Sequence, residues 1–234
     1  MATLPGTTLL AAALLVAGSI AATPATAPAQ ASIDSLLDRA ARFIASARPM
    51  HALFEQTLTN PDTKETRNSK GEFAQRGAAR FAFRFTDPAG DAIVADGGAI
   101  WVYLPSSARG QALKLPLAQG AQLDLLTQLL TAPRDSYKVT EGRSEAMGGR
   151  PVAVVRLEPK VPGTPFTRAT LWIDREDALV RQLEAVEPSG LIRRIRFRDI
   201  RTDADLATGM LTFTVPPNVK VIDASALFGI KPPR

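Results

Sequence analysis

The chain contains no cysteine, a single histidine, His51, and no charged side chain before Asp34. Without cysteine there is no disulfide, no thiolate metal site and no residue on which an exported chain could be lipidated. A chain of about 200 residues buries roughly 70% of its surface unaided, so a single domain resting on its core alone is expected. One histidine rules out a histidine-rich metal centre and leaves only His51 for a Ser-His-Asp triad. The nearest match to a nucleophile elbow is Gly142-Arg143-Ser144-Glu145-Ala146. It has alanine where the last glycine belongs and runs into Gly148-Gly149-Arg150-Pro151 and another strand, whereas the elbow needs a helix. No glycine-rich phosphate loop is present. The Arg193–Arg201 cluster interleaves only Phe197, too few aromatics for a nucleic-acid groove. The expectation is therefore a chain without catalysis, cofactor, metal or nucleic-acid partner.

The uncharged start has its own meaning. Leu9–Ala17 is apolar, breaks at Gly18-Ser19, decays through Pro24 and Pro28, and ends on the small-x-small triplet Ala29-Gln30-Ala31. A membrane span needs about 20 apolar residues. The shorter run predicts a secretory signal peptide over residues 1–31, with Ser32 as the mature N-terminus. All 28 basic and 23 acidic residues follow it, so the mature chain keeps the formal charge of +5, expected as a solvated basic face.

From Ser32 the apolar positions Ile33, Leu36, Leu37, Ala40, Phe43, Ile44 and Ala47 recur at helical spacing up to Pro49, with Ser32 as N-cap. The period then changes to two. Met50, Ala52, Phe54, Gln56 and Leu58 alternate with His51, Leu53, Glu55 and Thr57, and Asn60-Pro61-Asp62 turns the chain. A second strand follows through Glu72 and Phe73. Phe81, Phe83 and Phe85 share one face of a third, which Asp87-Pro88-Ala89-Gly90 ends. Asp96-Gly97-Gly98 joins Ala92–Ala95 to Ala99–Leu104 as a hairpin. A leucine-rich helical patch spans Gln122–Thr131 before Pro133. Strands resume at Tyr137–Glu141, Val152–Leu157, Arg168–Ile173, Leu179–Val186 and Leu191–Ile200, and Leu211-Phe213-Val215 reads as the last. Many strands with tight turns and two amphipathic helical segments imply an α+β, mainly β fold: a curved antiparallel sheet with helices on its apolar face.

The order of several motifs resembles the periplasmic outer-membrane lipoprotein carrier (LolA-like) family. They are Met50-His51-Ala52-Leu53-Phe54-Glu55-Gln56-Thr57, then Gly71-Glu72-Phe73 with Arg76, then Asp87-Pro88, Asp96-Gly97 and Trp101-Val102-Tyr103-Leu104-Pro105. Phe213-Thr214-Val215-Pro216-Pro217-Asn218-Val219-Lys220-Val221-Ile222-Asp223 is similar to the family's closing strand. The likeness spans residues 33 to 223, which places a carrier-like domain at 32–223 and a tail at 224–234. Gly77 stands where the family often has proline, and Leu104 where it often has Asn or Asp.

The resemblance implies a half-barrel lidded by helices, enclosing an apolar cavity for the acyl chains of lipoproteins. It implies loading by an inner-membrane lipoprotein-releasing ABC transporter and unloading to an outer-membrane receptor, with no enzymatic activity and no cofactor in the carrier. Phe81, Phe83 and Phe85 are the expected cavity wall, with Trp101 and Tyr103, whose inward face periodicity does not fix. Leu126, Leu129 and Leu130 are expected to line the lid. Arg76 is, by resemblance, the latch that bonds helix-end carbonyls over an empty cavity. Periodicity alone does not separate a cavity wall from a closed core. A lipid-binding sensor or carrier of another lipid on the same fold is the alternative, and a hydrolase built on His51 a distant third.

Export should cleave the chain between Ala31 and Ser32. N-terminal sequencing of the exported protein checks this, and an apolar segment retained in the membrane fraction would contradict it.

Overall fold

In the computed structural model the described residues are 32–120 and 123–224, so the expected cleavage site and the tail beyond Ala224 lie outside them. Helix α1 runs Ile33–Ala45. The Ser32 side chain caps it by accepting from the Ser35 amide, as the Ser-plus-acid start predicts. Its buried residues Leu36, Leu37, Ala40 and Ile44 form one stripe.

Two long strands follow, β1 (Pro49–Thr59) and β2 (Thr66–Arg76). Then come β3 (Arg80–Asp87), β4 (Ala89–Asp96), β5 (Ile100–Tyr103) and β6 (Gln111–Leu115). A short helical stretch interrupts: α2 (Leu117–Gly120), α3 (Leu125–Leu130) and α4 (Pro133–Ser136). The expected Gln122–Thr131 helix is thus shorter, capped by Asp124, and Gln122 lies outside the described residues. The chain resumes with β7 (Tyr137–Glu141), β8 (Glu145–Met147), β9 (Arg150–Pro159), β10 (Arg168–Asp174), β11 (Val180–Val186), β12 (Ile192–Thr202) and β13 (Lys220–Asp223).

The strands form one open, curved 13-stranded sheet ordered β13-β6-β5-β4-β3-β2-β1-β12-β11-β10-β9-β7, with β8 on β9. The fold class expected from the alternation is the one found. Every pairing is antiparallel except β13 with β6. The seam between β1 and β12 joins the first strand to the last long one, Met50 opposite Thr202 and Thr59 opposite Ile192. Residues from β1–β5 and β9–β12 alternate inward to one buried cluster with α1 and α3, the concave side of the sheet.

The C-terminal segment corrects an expectation. Leu211-Phe213-Val215 is not a strand; the closing strand is Lys220–Asp223, added parallel to β6, and alternation predicts neither of those two. Residues 207–215 instead cross the convex side as a strap. Leu211 and Phe213 pack on Ala82, Ala92 and Val94. Carbonyls of Gly209, Met210 and Thr212 accept from the Arg84 guanidinium at 2.7, 3.1 and 2.6 Å, which occupies acceptors that a neighbouring strand would otherwise use. An apolar-polar alternation cannot tell a strand from an extended strap whose alternate side chains find a floor.

Gly71 has a physical reason. It lies at the β2–β3 register shift, opposite Phe54 and Phe85. A Cβ there would sit 2.0 Å from the Arg84 carbonyl oxygen. Without a side chain at 71, the rings of Phe54 and Phe85 meet edge-on, 5.1 Å between centroids. Gly71→Ala should therefore destabilise the domain by about 3 kcal/mol, the scale of an overpacked backbone contact. Urea unfolding measures it, and a variant as stable as the parent would show that the two strands separate freely here.

Candidate functional site

The concave side of β1, β2, β3 and β12 is lined with phenylalanine. Phe54, Phe73, Phe81, Phe83 and Phe197 are buried and Phe85 is half-buried. Their centroids lie 4.7 Å apart for Phe73–Phe83, 5.1 Å for Phe54–Phe83 and Phe73–Phe197, and 6.2 Å for Phe81–Phe83. Leu126, Leu129 and Leu130 of α3 and Leu36, Leu37, Ala40 and Ile44 of α1 close over the same cluster. The space left between α1, α3 and β11, bordered by Phe43, Met50 and Val180, is about 10 Å³, at most one water. The interior is closed and packed in this conformation.

Surface pockets reach it at both ends of α3: at the C-terminal end, one of about 290 Å³ borders Ile44, Ala78 and Leu130, and the other is at the N-terminal end. There a pocket of about 290 Å³ is lined by Leu123, Leu125, Pro165, Phe166 and Ala185, and the Arg193–Glu187 ion pair, 3.1 Å, stands at its rim. Leu125, Phe166 and Ala185 also belong to the buried cluster, so the pocket is continuous with the apolar interior.

The two covering helices are held differently. α1 is tied at several points: Arg39 donates to the carbonyls of Arg175 and Glu176 in the β10–β11 turn, Arg134 of α4 pairs with Asp38 at 2.6 Å and Asp34 at 3.5 Å, and Arg48 beyond its end pairs with Asp203. That turn is itself braced by the buried Asp174, which accepts from Arg150 and Arg181. The six-residue α3 has little beyond its leucines. The Gln75 amide on β2 donates to Asp124 Oδ2 at 3.2 Å and Thr127 Oγ1 at 2.9 Å, and the Tyr137 hydroxyl donates to the Gln128 carbonyl at 3.2 Å. Gln75 and Asp124 are buried, and the Gln75 Oε1 atom has no hydrogen-bond partner among the described residues. Burial pushes the Asp124 carboxyl up to about 6, partly opposed by the hydrogen bonds from the Thr127 hydroxyl and amide and the Leu126 amide.

The residues expected from the sequence divide into groups. Phe81, Phe83, Phe85, Leu126, Leu129 and Leu130 come together in one cluster. Trp101 and Tyr103 do not join it, because Ile100 and Val102 take the concave side of β5. The two aromatics stand on the convex side against Phe213 of the strap, at 5.4 and 5.8 Å, and the Trp101 indole donates to Asp96 at 2.8 Å. Arg76 is exposed, and its guanidinium makes no hydrogen bond or ion pair among the described residues. The strand-to-helix contact belongs to its neighbour Gln75, which alternation places on the same face as Phe73. A glutamine on the phenylalanine face, and an aspartate inside a leucine run, were the available signals for this pair.

The parts a hydrolase would need stay apart. His51 pairs with Glu72 at 3.1 Å on β1 and β2, while Ser144 Oγ accepts from Arg175 at 2.9 Å before β8, with no helix behind it. Among the described residues no group of three or more His, Cys, Asp or Glu could hold a metal ion, and no helix is long and apolar enough to cross a membrane.

A family profile described as outer membrane lipoprotein carrier protein LolA matches residues 45–214. A protein of Methylibium petroleiphilum named outer-membrane lipoprotein carrier protein is 28% identical over 195 residues, 80% of this chain and 88% of that one. A protein of the same name from Chromobacterium violaceum is 28% identical over 209 residues, covering 89% and 96%. The solved structure of an uncharacterized conserved protein from Thermus thermophilus shares the fold, with a TM-score of 0.52 at 12% identity over 81% of this chain and 98% of that one.

The buried acid yields a pH dependence with a definite sign. A carboxyl whose folded pKa is raised holds its proton more tightly in the folded than in the unfolded state. Its contribution to stability is thus fully present below the ordinary value near 3.8 and is lost as pH rises through about 6. The loss is on the order of 2–3 kcal/mol. Asp124→Asn keeps an N-cap acceptor and has nothing to ionise. It should flatten stability between pH 4 and 6, roughly the window of the shift, and leave the variant more stable than the parent at pH 7. Urea midpoints across that range test it, and parallel curves for the two proteins would contradict it.

Proposed function

Because this chain belongs to the outer membrane lipoprotein carrier (LolA) family, whose members bind and transport without catalysing a reaction, we propose that it shelters the acyl chains of lipoproteins beneath α3 and carries them across the periplasm. In this reading an inner-membrane lipoprotein-releasing ABC transporter loads it and an outer-membrane receptor unloads it. The observation that carries the proposal is the phenylalanine-lined concave face closed by a six-residue helix that only Gln75 and Tyr137 fasten from beneath by hydrogen bonds among the described residues.

The energetics suit such a task. Each buried methylene contributes about 0.8 kcal/mol, so one long acyl chain gains on the order of 10 kcal/mol on leaving water. That gain is enough to displace a short helix whose leucines the cargo replaces with equivalent apolar contact. The closed interior has no room for a chain as it stands, so loading requires α3 to move, and the pocket at Leu123 and Phe166 is where a chain end would first meet apolar surface. α1, tied by Arg39, Arg134 and Arg48, remains as a wall. The fastening that the family resemblance gives to Arg76 falls in this chain to Gln75.

Triacylated polypeptide should co-purify with the exported protein and be identified by mass spectrometry of the bound material. Another lipid in its place would favour the sensor reading, and turnover without retained cargo a hydrolase. Gln75→Leu should populate the open state and speed uptake of an acylated peptide about five- to tenfold, the worth of one or two hydrogen bonds. Arg76→Leu should change uptake and hand-over by less than about twofold on the same scale. The reverse ranking would return the latch to Arg76.

A further inference from the structure

The convex side of the sheet is divided. The strap covers β3, β4 and β5, and the Gly142–Glu145 segment lies against Val154 and Trp172 at one end of β9 and β10. The outward side chains at the other end of β9 and β10 and along β12, β1 and β2, by contrast, include a row of exposed charged ones. On β12, Ile195 and Phe197 point into the core, and Arg194, Arg196 and Arg198 therefore point out. The register extends this outward row. Arg196 lies opposite Gln182 and Glu55, Glu55 opposite Lys70, and Arg194 opposite Glu184 and Thr57.

Each glutamate in these rows is already engaged. Glu55 pairs with Arg198 at 2.9 Å, Glu184 with Arg194 at 2.5 Å, and Glu72 with His51. Five cations on the same side, Arg156, Arg168, Arg196, Arg201 and Lys70, have no ion pair among the described residues, and all but the half-buried Arg196 are exposed. Among the described residues the one carboxylate of these rows without a partner is Asp199, at the bulge that ends the row. Central strands with a wet face are ordinarily served by threonine and glutamine. Unneutralised like charges on one face repel, a cost that an anionic partner removes.

We propose that this face docks the protein reversibly on a bilayer containing anionic phospholipid. Over six adjacent strands the cations spread across about 24 Å, a distribution suited to a plane of mobile headgroups. A protein interface would need a desolvated anchor at its centre. Leu53, 43% exposed, is the one large hydrophobe of this face that is exposed among the described residues. The attraction is therefore electrostatic and salt-sensitive, as a carrier that must leave the membrane requires. Docking by this side turns α1 and α3 away from the bilayer, so that the apolar interior opens towards a donor or acceptor protein and not towards bulk phospholipid.

Co-sedimentation of the exported chain with vesicles tests the proposal. Phosphatidylcholine vesicles containing phosphatidylglycerol should bind it, plain phosphatidylcholine should not, and added salt should reverse the binding. Arg156→Gln/Arg168→Gln/Arg196→Gln should weaken binding about a hundredfold, about fivefold per charge. Arg42→Gln/Arg109→Gln, exposed on α1 and in the β5–β6 loop, should leave it unchanged. Urea unfolding of each variant separates loss of charge from loss of fold. Equal binding to both vesicle types, or an unaffected, folded triple variant, overturns the proposal. So does a chain that ignores vesicles yet binds polyglutamate, since its partner would then be an acidic protein.

Discussion

Everything in this molecule follows from one apolar face being larger than the helices available to cover it. The inward side of β1–β5 and β9–β12 meets a thirteen-residue helix and a six-residue one. The sheet resolves the shortage by curving, so that Phe54, Phe73, Phe81, Phe83 and Phe197 cover one another in edge-on and tilted contacts and α1 and α3 need only close the remaining gap. Gly71 permits the tightest part of that arrangement by letting two strands approach where any side chain would collide.

The same shortage explains why the two helices differ. A long helix with an apolar stripe can be anchored by charged residues on its outer side, and Arg39, Asp34 and Asp38 serve that end on α1. A six-residue segment of mostly leucine has no outer side to spare. Its fastening must come from beneath, and a polar group in that position is necessarily buried. Gln75 and Asp124 are thus in tension with their surroundings: they hold the helix down, yet one has a carbonyl oxygen without a partner among the described residues and the other a carboxyl that resists ionisation. A contact so placed holds weakly, in keeping with a covering element that has to move.

Much of this was legible in the residues. Helical spacing defined α1, alternation defined most strands, and the run Phe81-Phe83-Phe85 correctly shared a face because period two leaves no other option. The failures have particular causes. Trp101 and Tyr103 alternate with Ile100 and Val102, and all four are apolar enough to face inward. Parity therefore could not choose between the two pairs, and the strap, a second apolar surface, decides it. Phe213 looked like a strand residue because it packs like one, although the carbonyls before it, of Gly209, Met210 and Thr212, accept from the Arg84 side chain and not from a neighbouring strand. β13 was missed because a four-residue parallel edge strand after Pro216-Pro217 carries almost no pattern of its own. Gln75 was visible as a polar residue of the wrong parity, but its partner lies 49 positions on, beyond anything local spacing reports.

The β1–β12 seam sets the order in which the molecule can be made. The middle of the sheet unites Pro49–Thr59 with Ile192–Thr202, the two ends of the folding unit, and the parallel edge waits for Lys220–Asp223. Such a topology has a high contact order, and chains of this kind fold slowly because distant segments must meet before any gain is realised. A chain threaded across a membrane from its N-terminus therefore cannot complete its central sheet until nearly all of it has emerged. Slow, end-dependent folding of this kind suits threading before folding, the order that the proposed export requires.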